Sequence, residues 1–392
     1  MLYSGFEITE FNKKWEKCQK EMEKQGLDVL ILSQDTNIIY MTGYRTGLFD
    51  SNFRPFFCVL VNGKEPALLV PNLEGPSAKK EAWFEDIETW GAGGKAENPI
   101  ELLIKFFKDN ELLGRTIGME LDYGQRLGVT LEEFNTIKQG LLGCQFKSCS
   151  GLMWKLREIK SKREVEFLKE ACRISFVAFD AVVNSIKPGM TERDLQKIMF
   201  STMGKEGSDL DGFLAIASGN MRDKKRWDMC NPFPSDRELK KGDMIMFDFG
   251  AVYRGYWADV TRDIFIGPVS EIQRELFNVE LKIHLATTNA AKPGVSVGAI
   301  AKAAHQAIKE SGHEDMYPYK GRVGHGIGLE VHEMPSVGIE NSDILEPGMV
   351  ICIEPSLRDF SLGAPFKQED NIVITKDSYE YLYDYNREII IV

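Results

Sequence analysis

KPGMTERDLQKIMFSTMGKEG at residues 187–207 is answered by KPGVSVGAIAKAAHQAIKESG at residues 292–312, 105 positions further along the chain. Each copy reads as a Lys-Pro-Gly turn, a Thr or Ser helix cap, and a helix ended by glycine. The correspondence continues downstream. GDMIMFD at residues 242–248 returns 106 positions later as GMVICIE at residues 348–354, and both are apolar strands that end in a carboxylate. Asp248 and Glu354 are therefore repeat mates, and the C-terminal part of the chain reads as one domain built of two related halves.

Working outward from the repeat, the first third has a different character. Residues 10–25 carry apolar side chains at helical spacing (Phe11, Trp15, Cys18, Met22) up to Gly26, and residues 27–33 form a short β-rich run. Residues 56–61 and 67–70, joined across Asn62-Gly63-Lys64, read as a hairpin, and residues 116–121 as a further strand. The expectation is an α/β fold: an N-terminal α/β domain over residues 1–153, then an α+β domain over residues 154–392 with an internal pseudo-two-fold repeat. One long charged helix is expected from Trp154 onward, KLREIKSKREVEFLKEACRISFVAFDAVV, as the entrance to the second domain. A length of 392 residues agrees, being too great for a single core.

Composition narrows the partners. With 48 basic against 59 acidic residues the net charge is −11, which argues against a nucleic-acid footprint and for a small peptide or small-molecule substrate. The longest apolar stretches, residues 29–32 and 56–61, fall far short of the roughly 18 residues of a membrane span. The N-terminus turns polar where a signal peptide has its apolar core, so a cytoplasmic location is expected. Seven cysteines occur singly (Cys18, Cys58, Cys144, Cys149, Cys172, Cys230, Cys352) and read as reduced thiols, mostly in the core.

The chemistry gathers around the carboxylates. Asp259 lies eleven residues beyond Asp248, with Tyr253-Arg254-Gly255 as a turn between them, so a hairpin should place the two acids opposite one another. At about 5 Å and an effective dielectric of about 20 their repulsion is about 3 kcal/mol, which calls for a cation. The second half repeats the pattern with Glu354 and with Glu369 in FKQEDNIVIT. Between the two pairs lies GHGIGLEVHEMP, residues 324–335, where glycines on both sides of His325 permit close approach. One imidazole and four carboxylates make a set for two divalent cations, whose four positive charges match the four negative ones. Oxygen-rich ligation favours Mn²⁺, with Co²⁺, Fe²⁺ or Zn²⁺ compatible with the imidazole.

These motifs, with LREIKS (156–161), FDFG and GYWADVTR within residues 247–262, IEP (353–355) and QED (368–370), resemble the pita-bread-fold metallopeptidase family of Xaa-Pro aminopeptidase, prolidase, methionine aminopeptidase and creatinase. The resemblance covers nearly the whole chain. It implies a creatinase-like N-terminal domain, a pita-bread catalytic domain, a homodimer, and metal ligands at Asp248, Asp259, His325, Glu354 and Glu369. It further implies amide hydrolysis by a hydroxide bridging two cations, with Glu354 as general base and His332 beside the substrate.

Some positions depart from the family pattern. The upstream histidine usual in these peptidases is replaced by Cys230 or Asn231, and no histidine precedes His284. Asn231 is a candidate substrate contact in its place. Lys367 stands where proline-specific relatives often carry arginine, and Asp263 where threonine is common. A small anionic or zwitterionic substrate held by Lys367 and the basic run near Arg222 is therefore expected, with weak turnover of ordinary Xaa-Pro peptides. The alternatives are a non-peptide enzyme of the same fold, either a creatinase-like amidine hydrolase or a dimethylsulfoniopropionate-lyase-like enzyme, and a binding-only module. His284, His305 and His313 are expected at the surface or at helix ends.

Overall fold

The structure is a computed structural model that describes residues 4–220, 232–317, 321–359 and 364–392. The chain divides into two compact units, Met1–Arg157 and Glu158–Val392. The division falls inside the last turn of a helix, Ser150–Glu158, that runs across the boundary expected at 153/154.

In the first unit six strands, β1 (Val29–Leu32), β2 (Phe57–Val61), β3 (Ala67–Pro71), β4 (Ile87–Trp90), β5 (Thr116–Met119) and β6 (Gln145–Ser148), form one sheet in the order β4-β3-β2-β1-β5-β6. The expected hairpin is present as β2 and β3, with Cys58 opposite Leu68. Its helices are α1 (Ile8–Gln25), α2 (Asp35–Thr42), α3 (Gly75–Glu81), α4 (Pro99–Asp109), α5 (Leu131–Gly140) and α6 (Ser150–Glu158). Val29, Ile31, Phe57 and Val59 on the sheet pack against Leu102, Leu103 and Phe106 of α4 and Ile137 of α5. On the other side of the strand ends Glu120 is wholly buried and accepts hydrogen bonds from the Ser33 and Gln34 backbone and from Asn37 Nδ2.

The second unit opens with α7 (Lys162–Val183), not with a continuation of α6. The single long helix expected from Trp154 is two helices. Ser161 caps α7, its hydroxyl accepting from Glu164 N–H while the Glu164 carboxylate accepts from Ser161 N–H, and this capping box restarts the chain in a new direction. α8 (Glu192–Lys205) is closed the same way by Thr191 and Asp194.

Strands β7 (Phe213–Gly219), β8 (Met244–Gly250), the short ribbon β9 (Val252–Tyr253) and β10 (Tyr256–Trp257), and β11 (Val260–Phe265) complete the first half. The second half holds α9 (Glu271–Asn289), α10 (Val297–Ser311), β12 (Arg322–Gly326), β13 (Glu333–Gly338), β14 (Val350–Ile353), the hairpin β15 (Ser356–Asp359) and β16 (Ala364–Lys367), then β17 (Asp370–Ile374), β18 (Tyr379–Tyr381) and β19 (Ile390–Ile391). Two sheets result, β19-β11-β8-β7 and β13-β12-β14-β17-β18, meeting at the Thr261–Glu369 bridge. The repeat read from the sequence appears as two helix pairs: α7 and α8 pack on one side of β7, β8 and β11, and α9 and α10 on the strands of the second half together with Ala217, Met244, Met246 and Phe265 of the first. Both Lys-Pro-Gly turns need their glycine, since Gly189 and Gly294 have φ of 90° and 85°.

Phe176 and Phe179 of α7 close on Phe249 of β8, with ring centroids 5.8 and 5.0 Å away, and all three rings are buried. At about 1.5–3 kcal/mol per fully buried aromatic side chain, this aromatic layer is a principal anchor for β8. Among the described residues no helix is long and apolar enough to cross a membrane.

Glu158, at the start of this unit, has its carboxyl pushed from the ordinary 4.5 up to about 7, chiefly by burial and next by Asp343, with Lys160 pulling the other way. The folded protein then holds this proton more tightly than the unfolded chain, so stability falls as pH rises from about 4.5 to about 7 and stays lowered above. Glu158→Gln should remove that component. Its melting temperature, measured against wild type, should gain progressively between pH 4.5 and 7 and level off beyond. A gain of equal size at pH 5 and pH 8 would refute this assignment.

Candidate metal centre

β8 is buried at every residue, and Asp248 lies near its end among Met246, Phe247 and Phe249. It pairs with Thr261 of β11, not with Asp259. The expected register is off by two residues. The β9–β10 ribbon pairs Tyr253 with Tyr256, and the turn is made by Arg254 and Gly255, both at positive φ (53° and 84°), a primed hairpin turn centred one residue later than expected. Asp259 remains on the same face as a diagonal neighbour, and its carboxyl still meets that of Asp248. Asn371 holds its backbone from both sides: Asp259 N–H donates to Asn371 Oδ1 at 3.0 Å, and Asn371 Nδ2 donates to the Asp259 carbonyl at 2.6 Å.

His325 lies on β12 between β13 and β14. The flanking glycines are there for close approach. A Cβ on Gly324 would stand 2.0 Å from the Cys352 carbonyl oxygen, and one on Gly326 would stand 2.1 Å from that of Met334. His325 Nδ1 is 2.9 Å from the Gly326 carbonyl, which fixes the proton on Nδ1 and leaves the Nε2 lone pair free. Nε2 stands 3.3 Å from Asp259 Oδ2 and 3.5 Å from Glu354 Oε1. Glu354 follows β14 directly, its N–H donating to the Val323 carbonyl at 2.8 Å. Glu369, between β16 and β17, exchanges backbone hydrogen bonds with Thr261 and accepts from Thr261 Oγ1 at 2.8 Å. The five expected ligands are thus brought to one place.

Lys367 is in that place too. Its ammonium lies 2.8 Å from Asp248 Oδ2, 2.9 Å from Glu369 Oε2 and 3.0 Å from Glu354 Oε2. Lys367, the expected contact for an anionic substrate, is engaged here by buried carboxylates. Burial alone would lower the pKa of this lysine, but Asp248, Glu369, Glu354 and Asp259 hold it well above its usual range. Burial, followed by neighbouring carboxylates, pushes Asp259 and Glu369 well up despite Lys367. For Glu354 burial is opposed and outweighed by Lys367, His325 and Arg322, which take it down to about 2.

One ammonium against four carboxylates leaves the cluster short of positive charge. Three buried atoms here have no hydrogen-bond partner among the described residues: Asp248 Oδ1, Glu369 Oε1 and His325 Nε2. Buried acceptors left open in this way fit a divalent cation, and the four carboxylates with one imidazole suit Mn²⁺ and its neighbours. Asp259, His325, Cys352 and Glu369 can bring one donor atom each within 4.8 Å of one another. Cys352 is a poor ligand, because burial and then Asp259 and Glu369 push its thiol well up, and its Sγ already accepts from Asn371 Nδ2 at 3.0 Å.

A second layer of acids braces this one. Asp263 Oδ2 accepts from Lys367 N–H at 3.1 Å, and Glu280 Oε1 of α9 accepts from Gln368 N–H at 3.0 Å, so Asp263, Glu280 and Thr261 pin three consecutive residues, 367–369. Asp370 gathers Arg262 Nη2 (2.7 Å), Arg387 Nε (2.7 Å) and His284 Nε2 (2.9 Å). Burial works to raise Asp370, but Arg262, His284 and Arg387 outweigh it and hold the carboxyl far below the usual range. His284 is therefore not at the surface as expected; it is fully buried, because the inner face of α9 meets the start of β17. His305 and His313 are half-buried, His305 with its ring edge-on to Tyr317. Glu280 and His284 lie on one mixed face of α9 with Gln273, Leu276, Phe277 and Thr287, so no apolar pattern singles them out.

His332 stacks obliquely on His325, with centroids 4.3 Å apart, and is open to solvent. Partial burial first, then His325 and Arg322, push it down to about 4, so the ring is neutral near pH 7. Asn231, Cys230 and the basic run at 222–226 lie outside the described residues.

Residues 166–376 match the model of metallopeptidase family M24, and residues 14–159 match the creatinase/prolidase N-terminal domain. The chain is 29% identical over 381 residues to the Xaa-Pro dipeptidase of Pyrococcus furiosus, covering 96% of this chain and 99% of that protein. Among solved structures, the Xaa-Pro dipeptidase from Bacillus anthracis superposes with a TM-score of 0.85 at 26% identity, covering 97% of this chain and 100% of the other. The X-Pro aminopeptidase from Thermotoga maritima does so with a TM-score of 0.82 at 26% identity, covering 96% and 99%.

Asp370 tests how far the bracing layer matters. Asp370→Ala leaves Arg262 and Arg387 without their shared anion, and should cost about 3–5 kcal/mol in a urea titration, the usual penalty for breaking a buried ion pair. A loss below about 1 kcal/mol, within the range of an exposed pair, would show that the cluster carries no such load.

Proposed function

We infer the reaction from one premise: this chain belongs to metallopeptidase family M24 and is a hydrolase of the Xaa-Pro dipeptidase type. The proposed substrate is a dipeptide with proline in the second position, cleaved at its tertiary amide. The observation that supports this most is the meeting of Asp248, Asp259, His325, Glu354 and Glu369 in one buried cluster, with His325 Nε2 and two carboxylate oxygens lacking hydrogen-bond partners.

Those five residues would hold two divalent cations, Mn²⁺ being favoured by the oxygen-rich set. When bound, such ions act as Lewis acids that acidify water and polarise the scissile carbonyl. The chain's own groups do the rest. Among the four carboxylates Glu354 is the most open, its side chain 20% exposed against 7% for Asp248, 7% for Asp259 and 0% for Glu369, so it alone can face both the cluster and an entering substrate. It is ionised throughout the neutral range. A proton taken from the attacking water passes by way of its carboxylate to the prolyl nitrogen, which has no hydrogen of its own and must gain one to leave. His332, neutral near pH 7, can donate from its ring N–H to the carbonyl oxygen as negative charge builds there.

The test is a steady-state assay of Mn²⁺-loaded protein on a panel of Xaa-Pro dipeptides and matched Xaa-Ala controls. Hydrolysis should be selective for Xaa-Pro and should vanish with a chelator. Glu354→Gln should lower kcat by about 10²–10⁴-fold, the usual share of a general acid-base group. Full activity in the Glu354→Gln protein, or no preference for proline, would reject this assignment.

A further inference from the structure

The cluster has two unlike sides, and Glu354 spans them. On one side His325 Nε2 faces Asp259 Oδ2 at 3.3 Å and Glu354 Oε1 at 3.5 Å. On the other, Asp248 Oδ2, Glu369 Oε2 and the second Glu354 oxygen, Oε2, all close on Lys367 Nζ at 2.8–3.0 Å. Three anionic oxygens around one cationic nitrogen is the arrangement in which a small cation would otherwise sit, and an ammonium is a compact point charge able to take that role. The lysine is not there by side-chain wandering. Its N–H is bonded to Asp263 Oδ2, the next residue's N–H to Glu280 Oε1, and its side chain is only 9% exposed. The backbone therefore delivers the ammonium into the cluster and leaves it little room elsewhere.

Formal charge makes the same distinction. Four carboxylates with two divalent cations come to zero, but adding Lys367 gives +1 before any hydroxide; four carboxylates with one divalent cation and Lys367 give −1. Lys367 and a second metal ion are thus two ways to offset the −2 that remains on the four carboxylates once the first ion is bound. An ammonium and a divalent cation a few ångströms apart repel twice as strongly as two unit charges at that distance, which keeps both from sharing that side.

We propose that Lys367 is the resident cation of the Asp248–Glu369 side of the centre: one divalent ion binds on the His325–Asp259–Glu354 side with the ammonium in place, and a second ion binds only by displacing it. The inference rests on the metal-dependent reading above and adds that the two ions are bound with very different strength, through a residue of this chain.

The experiment is calorimetric titration of the metal-free, full-length protein with Mn²⁺, for wild type and Lys367→Met. Wild type should show a tight first step and a second step at least about tenfold weaker. In Lys367→Met the second step should tighten by about tenfold or more, with the first changed less. Two steps of equal affinity in wild type, or a second step that Lys367→Met leaves unchanged, would overturn the role of Lys367 while leaving the metal centre intact. No Mn²⁺ bound by either protein would overturn the metal reading itself and this inference with it. A measurement on wild type alone covers the case of a variant that does not fold. With one equivalent of Mn²⁺ added, electron paramagnetic resonance should show isolated ions, and a spin-coupled pair at that loading would refute the proposal.

Discussion

Like charges held together out of water are the constraint from which the rest of the C-terminal unit follows. Asp248, Asp259, Glu354 and Glu369 meet where little solvent reaches, and each close pair repels by about 3 kcal/mol even at a generous effective dielectric. No single interaction removes that cost. It is offset by Lys367 within the cluster, by the raised proton affinity of Asp259 and Glu369, and by the openness to a divalent cation that the partnerless oxygens and His325 Nε2 record. A site that can be completed only by added positive charge is unstable without it and specific for it, and these are two aspects of one arrangement.

Holding such groups in place requires a frame that cannot relax. The frame is backbone: β8, β11, β12, β14 and β17 are buried strands at the middle of two sheets, and the carboxylates project from their ends. The acids behind the cluster use two different solutions to the same burial problem. Asp370 stays ionised because two arginines and His284 surround it, whereas Asp263 and Glu280 are pushed well up by burial and accept backbone N–H groups of the Lys367–Gln368 segment. Charge is thus carried where cations are at hand and suppressed where they are not.

What could be read from the sequence was what is local or repeated. The helix pairs, the strands ending at Asp248 and Glu354, the glycines around His325 and the five convergent residues all follow from spacing within about twenty residues or from the offset between the halves. What escaped was long-range or depended on a small backbone choice. Arg254 at positive φ shifted the β8–β11 register by two, a conformation that arginine gives no reason to expect. The Ser161–Glu164 capping box broke a helix whose apolar pattern runs on without interruption. Lys367, His284 and Asn371 found partners 86–119 residues away, and no periodicity carries that information. Lys367 in particular read as a substrate contact, because Asp248 and Glu354 reach it from 119 and 13 residues away on other strands.

The register also explains why the two halves can each give two carboxylates without collision. Asp248 pairs with Thr261 in the first half, and one step past the Ile353–Asp370 pair Glu354 comes opposite Glu369 in the second. By the pseudo-two-fold relation Thr261 and Glu369 are therefore equivalent positions, and they are the very residues that bridge the two sheets. Asp259 and Asn371, two residues out on either side, lie opposite one another across that antiparallel bridge, and they bond to one another. At each of these positions one half supplies an acid and the other a neutral hydrogen-bonding side chain: threonine against glutamate, aspartate against asparagine. Strict symmetry would have set acid against acid across the axis twice over, with no donor to separate them. The duplication gives the site its shape, and the departure from symmetry at residues 259, 261, 369 and 371 makes that shape tolerable to its own charge.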